Sequence, residues 1–211
     1  MSNEQQVNHG DHDSESEIQP SYYASRAKAI EALLVQKGVM TTNEINSEVN
    51  AMDSKSPADG AKIVALAWLD DSFKTKLLAN ASEALEEIGY KLPDETPYLK
   101  VVENSEDIHH VVVCTLCSCY PRMLLGRPPD WYKSLAYRSR VVVSPREVME
   151  EFGLRLSDDI EVRVLDSTAD LRYMVIPRRP LGTDGFDQES LAALVTRDSM
   201  IGVSDPLSAH F

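Results

Sequence analysis

The residues best suited to chemistry in this chain are three closely spaced cysteines, Cys114, Cys117 and Cys119, the only cysteines among its 211 residues. The odd number leaves one thiol over in any intramolecular disulfide scheme, whereas the spacing suits chelation of one metal ion. With their backbone amides deprotonated, Ser118 and Cys119 would supply two nitrogens that form fused chelate rings with the sulfurs of Cys117 and Cys119. Cys114 would add a third sulfur below that plane. One coordination position then stays open for a ligand, as in catalytic metal sites.

The donor types indicate which metal would bind. Thiolate and amide nitrogen are strong anionic donors, and five of them favour a trivalent, redox-capable first-row ion. Two alternatives stay open from the residues alone. Cys114 and Cys117 form a Cys-x2-Cys zinc half-site that His109 or His110 would complete, although Cys-x-Cys is cramped for a tetrahedron. The thiols would otherwise be small side chains packed in a core.

The segment Val113–Pro121, which reads Val-Cys-Thr-Leu-Cys-Ser-Cys-Tyr-Pro, closely resembles the metal-binding segment of the nitrile hydratase α subunit. Other blocks extend the resemblance over most of residues 98–204 and, more weakly, over the helical region before them. These blocks are Gly126–Lys133, Tyr137–Val141, Ile160–Asp166, Leu171–Pro177 and Thr196–Gly202. The resemblance implies the catalytic α subunit of a lyase that hydrates nitriles to amides. A thiocyanate hydrolase subunit and a non-catalytic, zinc-stabilised binding module are the alternatives.

The resemblance also implies the composition of the site. It predicts one low-spin non-haem Fe(III) or non-corrin Co(III) ion per chain, with Cys114, Cys117, Ser118 and Cys119 as the metal ligands. Cys117 would be oxidised to a sulfinate and Cys119 to a sulfenate, while Cys114 stays a thiolate. Cys119 and Ser118 are the predicted catalytic residues, the first through its sulfenate oxygen and the second through a hydroxyl that hydrogen-bonds the bound ligand or its water.

Some positions bear on the metal and the substrate. Thr115 and Tyr120 resemble the cobalt branch of the family, whereas Gly182–Gly185 and Ile201–Ser204 resemble the iron branch, so both metals are kept. The family commonly has Trp-Pro directly after this cysteine segment. This chain has Arg122-Met123 there, which changes the expected wall of the substrate pocket.

A separate β subunit is the partner that the resemblance implies, in an αβ heterodimer or in a heterotetramer of two α and two β subunits. In the family, arginines of the β subunit donate to the oxidised sulfurs. Arg122 and Arg127 are local candidates for the same task, with surface charge or a subunit ion pair as the other interpretation. The implied substrate is a small nitrile.

Composition limits the other classes of function. The chain has 34 acidic and 21 basic residues and a net charge of −13, which argues against binding to nucleic acid. The sequence shows no apolar run long enough for a transmembrane helix and no signal peptide, so no membrane partner is expected. Free thiols without an export signal indicate a cytoplasmic protein.

The pattern of polar and apolar residues predicts an α+β fold, with a helical N-terminal arm followed by a layered α/β C-terminal domain of α-β-β-α type. Residues 1–20 form an acidic tail predicted to be disordered. Residues 21–92 form the helical arm or subdomain, and residues 93–211 form the metal-binding catalytic domain.

Local signals place the individual elements. Helices are expected from Tyr22 to Lys37, after a capping box at Thr41–Glu44, from Pro57, through Phe73–Ile88, from a Ser144 cap with Pro145, and over 188–198. Strands are expected at 99–102 and 111–113, so that the cysteines follow a buried strand and lie in a loop. Residues 161–165 and 172–176 alternate in polarity and suggest a hairpin.

Six further side chains are candidates for a role near the cysteines or for ordinary packing. His109 and His110 precede the buried strand, where packing or a subunit contact is favoured over metal ligation. Asp166 and Arg172 are candidates for an ion pair that supports the cysteine loop. The pair Trp131-Tyr132 is expected to lie in the core or an interface, or to line a pocket.

Overall fold

A computed structural model describes residues 22–93 and 96–209 of the chain. The predicted acidic tail lies outside these residues. The described part divides into two compact units, the first ending at Ser47 and the second beginning at Glu48. The second unit thus includes most of the helical stretch that the sequence analysis assigned to an arm ending at residue 92.

Helices α1 (Tyr22–Gln36) and α2 (Thr42–Asp53) follow the local signals of the sequence. The predicted capping box is present, because the backbone N–H of Glu44 donates to the Thr41 hydroxyl at 3.2 Å and the Thr41 N–H donates to the Glu44 carboxylate at 2.7 Å. Neither helix contains a buried residue. Their apolar side chains are therefore available to another surface.

Helix α3 (Pro57–Leu69) begins at Pro57, as predicted, and contains more buried residues than any other described helix. The single helix expected through Phe73–Ile88 is wrong, since two helices, α4 (Asp71–Ala79) and α5 (Ala81–Glu87), occupy this segment. Asn80 divides them. Its side chain accepts a hydrogen bond from the backbone N–H of Glu83 and so starts a new helix.

The four strands are β1 (Tyr98–Glu103), β2 (Ile108–Val113), β3 (Glu161–Asp166) and β4 (Leu171–Ile176). They form two parallel pairs, β1 with β4 and β2 with β3. The predicted hairpin of β3 and β4 is therefore wrong. Alternating polarity shows which face of a strand is buried, but it does not identify the strand with which it pairs. Here each strand finds its partner at least 50 residues away, as the register of Val113 with Asp166 shows.

Short helices complete the second unit. They are α6 (Arg122–Leu125), α7 (Asp130–Lys133), α8 (Leu135–Arg140), α9 (Pro145–Glu151), α10 (Gln188–Leu194) and α11 (Arg197–Ile201). The last two replace the single helix predicted over 188–198, because Thr196 caps a new helix with Ser199. Helix α9 has Pro145 at its start, but the Ser144 side chain makes no cap hydrogen bond, so the capping part of that prediction is wrong.

Helices lie on both sides of the strands. Helices α4 and α5 contact β1, α9 contacts β3, and α11 contacts β2 and β4. Strand β2 is almost completely buried within this layered arrangement. The predicted α+β class is confirmed, and the loop that follows β2 is held at the end of a buried strand.

Candidate metal centre

The three cysteines lie together in the loop that directly follows β2. Their sulfur atoms all lie within 4.8 Å of one another. The Sγ atoms of Cys114 and Cys117 are 3.4 Å apart, and those of Cys117 and Cys119 are 3.1 Å apart. All three thiols are free. The three sulfur atoms are therefore close enough to one another to bind a single metal ion.

Asp166 fixes the first half of this loop. It is the last residue of β3, and parallel pairing places it beside Val113, the last residue of β2. Its carboxylate accepts hydrogen bonds from the backbone N–H of Thr115 at 2.9 Å and from the Thr115 hydroxyl at 2.6 Å. Arg172, the predicted ion-pair partner of Asp166, instead donates to the backbone carbonyls of Thr168 and Leu171. That predicted pair is therefore wrong, although Asp166 does support the cysteine loop.

Side chains of α7 and α8 fix the carbonyl groups on either side of the cysteines. Arg138 donates to the Thr115 carbonyl at 3.1 Å, and the Tyr132 hydroxyl donates to the Cys119 carbonyl at 2.8 Å. The Tyr137 hydroxyl donates to the carbonyl of Val112 at 2.6 Å. These hydrogen bonds were not predicted from the sequence. They join residues that lie far apart in the chain, and such contacts leave no local sequence pattern.

The aromatic rings beside the loop form one buried cluster. Trp131 makes edge-to-face contacts with Tyr132, Tyr137 and Phe152, at centroid distances of 4.8 to 5.8 Å. Tyr132 also contacts Tyr120 in the same way at 5.0 Å. Tyr132 belongs to the core, as predicted, whereas Trp131 is partly buried and packs against the core. Rings packed in this way give the tyrosine hydroxyls a fixed direction toward the loop.

Exposure differs among the residues of the loop. Cys114 and Cys119 are buried, with 1% and 7% of their surfaces exposed, whereas Cys117 is exposed. Ser118 is partly exposed, and its side chain makes no hydrogen bond with the described residues. Leu116 is 87% exposed. The centre therefore opens on one side, where a small molecule or a partner has access to it.

The thiols influence each other's ionisation. Hydrogen bonds from the thiols of Cys119 and Cys114, and then from the backbone N–H groups of Ser118 and Cys119, lower the pKa of Cys117 to about 7. Burial, followed by the hydrogen bond with Cys117, raises the pKa of Cys119 to about 12. The thiol of Cys117 therefore ionises more readily than that of Cys119, chiefly because burial disfavours the charged form of Cys119.

The donor set fits the predicted metal. The backbone N–H groups of Ser118 and Cys119 donate to the sulfur of Cys117, and the three sulfurs lie within 4.8 Å of one another. Soft, strongly donating ligands of this kind match a transition metal rather than magnesium or calcium.

The two histidines are engaged elsewhere. His109 hydrogen-bonds through Nε2 to the Gly202 carbonyl at 2.8 Å and through Nδ1 to the Asn104 side chain at 3.1 Å. His110 contacts Asn104 through its backbone N–H and through Nδ1. Gly202 has a φ of +83°, and a Cβ there would meet the His110 carbonyl at 1.9 Å, so the packing is tight. Both ring nitrogens of His109 are used, which agrees with packing rather than ligation.

The two arginines proposed as local donors differ from each other. Arg127 forms an ion pair with Asp53, with 2.5 Å between Nε and Oδ1. The side chain of Arg122 has no hydrogen bond or ion pair with the described residues, and it lines a cavity of about 390 Å³ together with Tyr120, Met123 and Arg172. Of the two, Arg122 is the one with a free guanidinium near the cysteine loop.

Comparison with known proteins identifies the relatives of this chain. A family model described as "Nitrile hydratase, alpha chain" matches residues 21–204. The low-molecular weight cobalt-containing nitrile hydratase subunit alpha of Rhodococcus rhodochrous is 50% identical over 184 residues, which cover 87% of this chain and 88% of that protein. The thiocyanate hydrolase subunit gamma of Thiobacillus thioparus is 40% identical over 188 residues, covering 84% and 77%.

Solved structures agree. A double mutant of the Fe-type nitrile hydratase from Comamonas testosteroni Ni1 matches with a TM-score of 0.81 and 41% identity, covering 88% of this chain and 90% of that one. A recombinant thiocyanate hydrolase with partially modified cobalt centres matches with a TM-score of 0.84 and 38% identity, covering 90% and 93%. The names of these two solved structures refer to iron in one case and to cobalt in the other.

Proposed function

The chain belongs to the nitrile hydratase alpha-chain family, and we propose that its cysteine loop is the metal centre at which nitriles are hydrated to amides. It is the catalytic α subunit of an enzyme of this type. The observation that carries the proposal is that the three sulfurs lie within 4.8 Å of one another and that two backbone N–H groups donate to one of them, the sulfur of Cys117. In the overall reaction the oxygen of water forms a double bond to the nitrile carbon, both π bonds of the C≡N group are lost, and both water protons end on nitrogen.

The proposed ligands are the sulfurs of Cys114, Cys117 and Cys119 and the deprotonated backbone nitrogens of Ser118 and Cys119. The cofactor is one iron or cobalt ion, since relatives of this chain include a cobalt-containing and an Fe-type enzyme. Such an ion supplies Lewis acidity at its open position. The surrounding protein contributes a rigid loop, because Asp166, Arg138 and Tyr132 fix the backbone on both sides of the ligands.

We propose that Cys117 is present as a sulfinate and Cys119 as a sulfenate, while Cys114 stays a thiolate. Cys114 has 1% of its surface exposed, which protects its sulfur, whereas Cys117 is exposed to an oxidant. The sulfenate oxygen of Cys119 would then attack the nitrile carbon or activate the attacking water. The Ser118 hydroxyl, which has no partner among the described residues, would donate a hydrogen bond to substrate or water.

Membership of this family implies a partner subunit. We propose a nitrile hydratase β subunit, in an αβ heterodimer or a heterotetramer of two α and two β subunits. Large apolar side chains support this proposal, because they are exposed on the second unit at Leu116, Leu135, Val143 and Leu181, with 75% to 93% of their surfaces accessible. A partner that covers these side chains would remove their apolar surface from water.

Two further points concern the setting of the protein. Within residues 22–93 and 96–209, no helix is long and apolar enough to span a membrane. We propose a cytoplasmic location, because three free thiols that must remain available to a metal are favoured in a reducing compartment.

The proposal is tested by producing the chain together with a β subunit and measuring metal content, particle size and turnover of a small nitrile. Iron or cobalt at one ion per chain, a heteromer and amide formation are expected. Stoichiometric zinc in a colourless protein without turnover would favour the binding-module alternative. Thiocyanate hydrolase is the second candidate, favoured by the TM-score of 0.84 to such an enzyme, and turnover of thiocyanate without nitrile turnover would support it.

A further inference from the structure

Ser167, a buried residue between β3 and β4, fixes the start of the cysteine loop. Only 2% of its surface is exposed. Its backbone N–H donates to the carbonyl of Val113, the residue before Cys114, at 2.7 Å. Its hydroxyl oxygen accepts a hydrogen bond from the backbone N–H of Tyr173 at 3.3 Å. The hydroxyl proton of Ser167 is not needed for that contact and is therefore available to a further acceptor.

Tyr132 joins Ser167 to the end of the same loop. Its hydroxyl donates to the Cys119 carbonyl at 2.8 Å. Burial raises the pKa of Tyr132 above its ordinary value, so the hydroxyl keeps its proton, while a hydrogen bond with the Ser167 side chain opposes the shift. That opposition has the sign expected when Ser167 donates to the Tyr132 oxygen. Hydrogen bonds thus run in one direction from Tyr173 through the two hydroxyls to Cys119, and we call Ser167 and Tyr132 the hydroxyl chain.

The aromatic cluster holds Tyr132 in place. Its side chain is fully buried. The ring makes edge-to-face contacts with Tyr120 at 5.0 Å and with Trp131 at 5.8 Å, and a tilted contact with Tyr137 at 5.7 Å, measured between ring centroids. A ring packed in this way cannot swing aside without opening a space in the core, which close-packed interiors resist. The direction of the Tyr132 hydroxyl is therefore set by the fold and not by the cysteine loop.

Cys119 is the residue whose conformation the hydroxyl chain fixes most directly. Among the described residues, Tyr132 is the one hydrogen-bond donor to the Cys119 carbonyl. On the other side, the backbone N–H of Cys119 donates to the sulfur of Cys117, which lies 3.1 Å from the Cys119 sulfur. Because peptide groups are planar, holding both of them fixes the direction of the Cys119 Cβ atom, and one staggered torsion then places its sulfur. Loss of the Tyr132 hydroxyl would free the peptide group that follows Cys119.

We propose that Tyr132 is a positioning residue of the metal centre, and that its hydrogen bond to the Cys119 carbonyl, supported by Ser167, holds the Cys119 sulfur where it binds the metal and takes part in hydration. Tyr132 belongs to no ligand set and acts through Cys119. The inference rests on the proposed function, because that function gives Cys119 its role. Residues that orient metal ligands from outside the ligand set typically change metal affinity or activity by about 10- to 100-fold when they are substituted.

Tyr137 offers a matched control within the same aromatic cluster. Its hydroxyl also donates to a backbone carbonyl, that of Val112, at 2.6 Å. Val112 lies within β2 and pairs with Leu165 of β3, so the strand pairing holds its peptide group even without the tyrosine. Substitution by phenylalanine at either position removes one buried hydroxyl and keeps the ring. Only the substitution of Tyr132 should therefore reach the metal centre, although both should lower stability.

The experiment compares the metal-loaded complexes of wild type, Tyr132→Phe and Tyr137→Phe, each produced with the β subunit. The measurements are metal content, the visible absorption of the metal–thiolate centre, and kcat and KM for a small nitrile. In Tyr132→Phe we expect a shifted absorption band and a kcat per bound metal about tenfold lower, with little change in KM. In Tyr137→Phe the absorption band and kcat should match those of the wild type, while thermal unfolding occurs at a lower temperature.

Ser167→Ala tests the other member of the hydroxyl chain. It removes the hydroxyl that supports Tyr132 and keeps the backbone N–H that donates to Val113. The absorption band should shift in the same direction as in Tyr132→Phe, with a smaller loss of kcat, because Tyr132 still reaches the Cys119 carbonyl. Circular dichroism shows whether each complex is folded. If Tyr132→Phe does not fold, Ser167→Ala decides the test, and an unchanged band and kcat in that variant would overturn the inference.

The absorption band separates this inference from the proposed function, because it reports on the metal centre without turnover. A wild-type complex that hydrates the nitrile, together with equal band positions and kcat values in the two tyrosine variants, would overturn the role of Tyr132 and leave the proposed function intact. A metal-loaded wild-type complex that hydrates no nitrile would contradict the proposed function. A band shift confined to Tyr132→Phe would, in that case, still support Tyr132 as the residue that positions Cys119.

Discussion

Asp166 accepts two hydrogen bonds from Thr115, one from its backbone N–H at 2.9 Å and one from its hydroxyl at 2.6 Å, although 51 residues separate the two in sequence. The contact joins the end of β3 to the residue that follows the first cysteine. Parallel pairing of β2 and β3 makes this contact possible, because both strands end at the same edge. The cysteine loop is thus anchored to the sheet rather than only to its own chain neighbours.

Asp166→Asn should loosen the cysteine loop. An amide retains one acceptor oxygen but places an N–H2 group against one of the two Thr115 donors, so at least one hydrogen bond is lost, at a cost of about 1 kcal/mol. We expect metal content per chain to fall and thermal stability to decrease slightly. Metal analysis and thermal unfolding measure both effects. Asp158→Asn is the control, because that exposed carboxylate has no hydrogen bond or ion pair with the described residues, and equal effects of the two substitutions would refute the anchoring role.

Cys114→Ser should lose metal more severely than Arg122→Ala. A serine hydroxyl is a harder and far less acidic donor than a thiolate and is poorly matched to the proposed trivalent ion. Arg122 lines the cavity of about 390 Å³ and belongs to no ligand set, so its loss should alter which nitriles are accepted while metal stays bound. Metal content and turnover on an aliphatic and an aromatic nitrile distinguish the two variants. Full metal and rate in Cys114→Ser would eliminate Cys114 as a ligand.

Active protein should carry oxygen on Cys117 and Cys119 but not on Cys114. The reason is that Cys117 is exposed and ionises most readily, with a pKa of about 7, whereas Cys114 is buried. Peptide mass spectrometry of the active complex should show the mass of a sulfinate at Cys117 and of a sulfenate or its trapped product at Cys119. Unmodified thiols at both positions in fully active material would remove the sulfenate from the proposed chemistry.

The buried histidines should make folding stability depend on pH. Burial lowers the pKa of both His109 and His110 in the folded chain, whereas a histidine of the unfolded chain titrates near about 6.5. Below that pH the unfolded chain therefore binds more protons than the folded chain, and the free energy of unfolding decreases as the pH falls. This stabilisation is present above the pKa of the histidines in the unfolded chain. It is lost as the pH falls through their pKa in the folded chain.

Denaturant unfolding between pH 8 and pH 5 measures this effect. His109→Gln should be less stable than the wild type at pH 8, because its contacts with Asn104 and Gly202 change, yet its stability should vary less with pH. The control is His110→Gln, which removes the less buried of the two histidines and should flatten the profile less. Identical slopes in all three proteins would show that other groups control the acid response.

The sequence by itself determined the features that depend on neighbouring residues. The spacing of Cys114, Cys117 and Cys119 indicated a metal-binding loop, and the sulfur atoms do converge. The capping box at Thr41–Glu44 and the proline that begins α3 marked helix starts correctly. Such signals are local, because the atoms that form a helix cap or a chelate belong to residues only a few positions apart in the sequence.

Only the tertiary structure decided which distant elements meet. Alternation in β3 and β4 suggested a hairpin, but each strand pairs instead with one from the other side of the cysteine loop, since burial on both sides of the sheet selects the partner. The same long-range packing brings Asp166 to Thr115 and Tyr132 to the Cys119 carbonyl. It also assembles the cavity of about 390 Å³ beside Arg122 from residues 48–55, 93, 96–97, 120–123 and 172. No local pattern encodes these contacts, because they form only when the whole core closes.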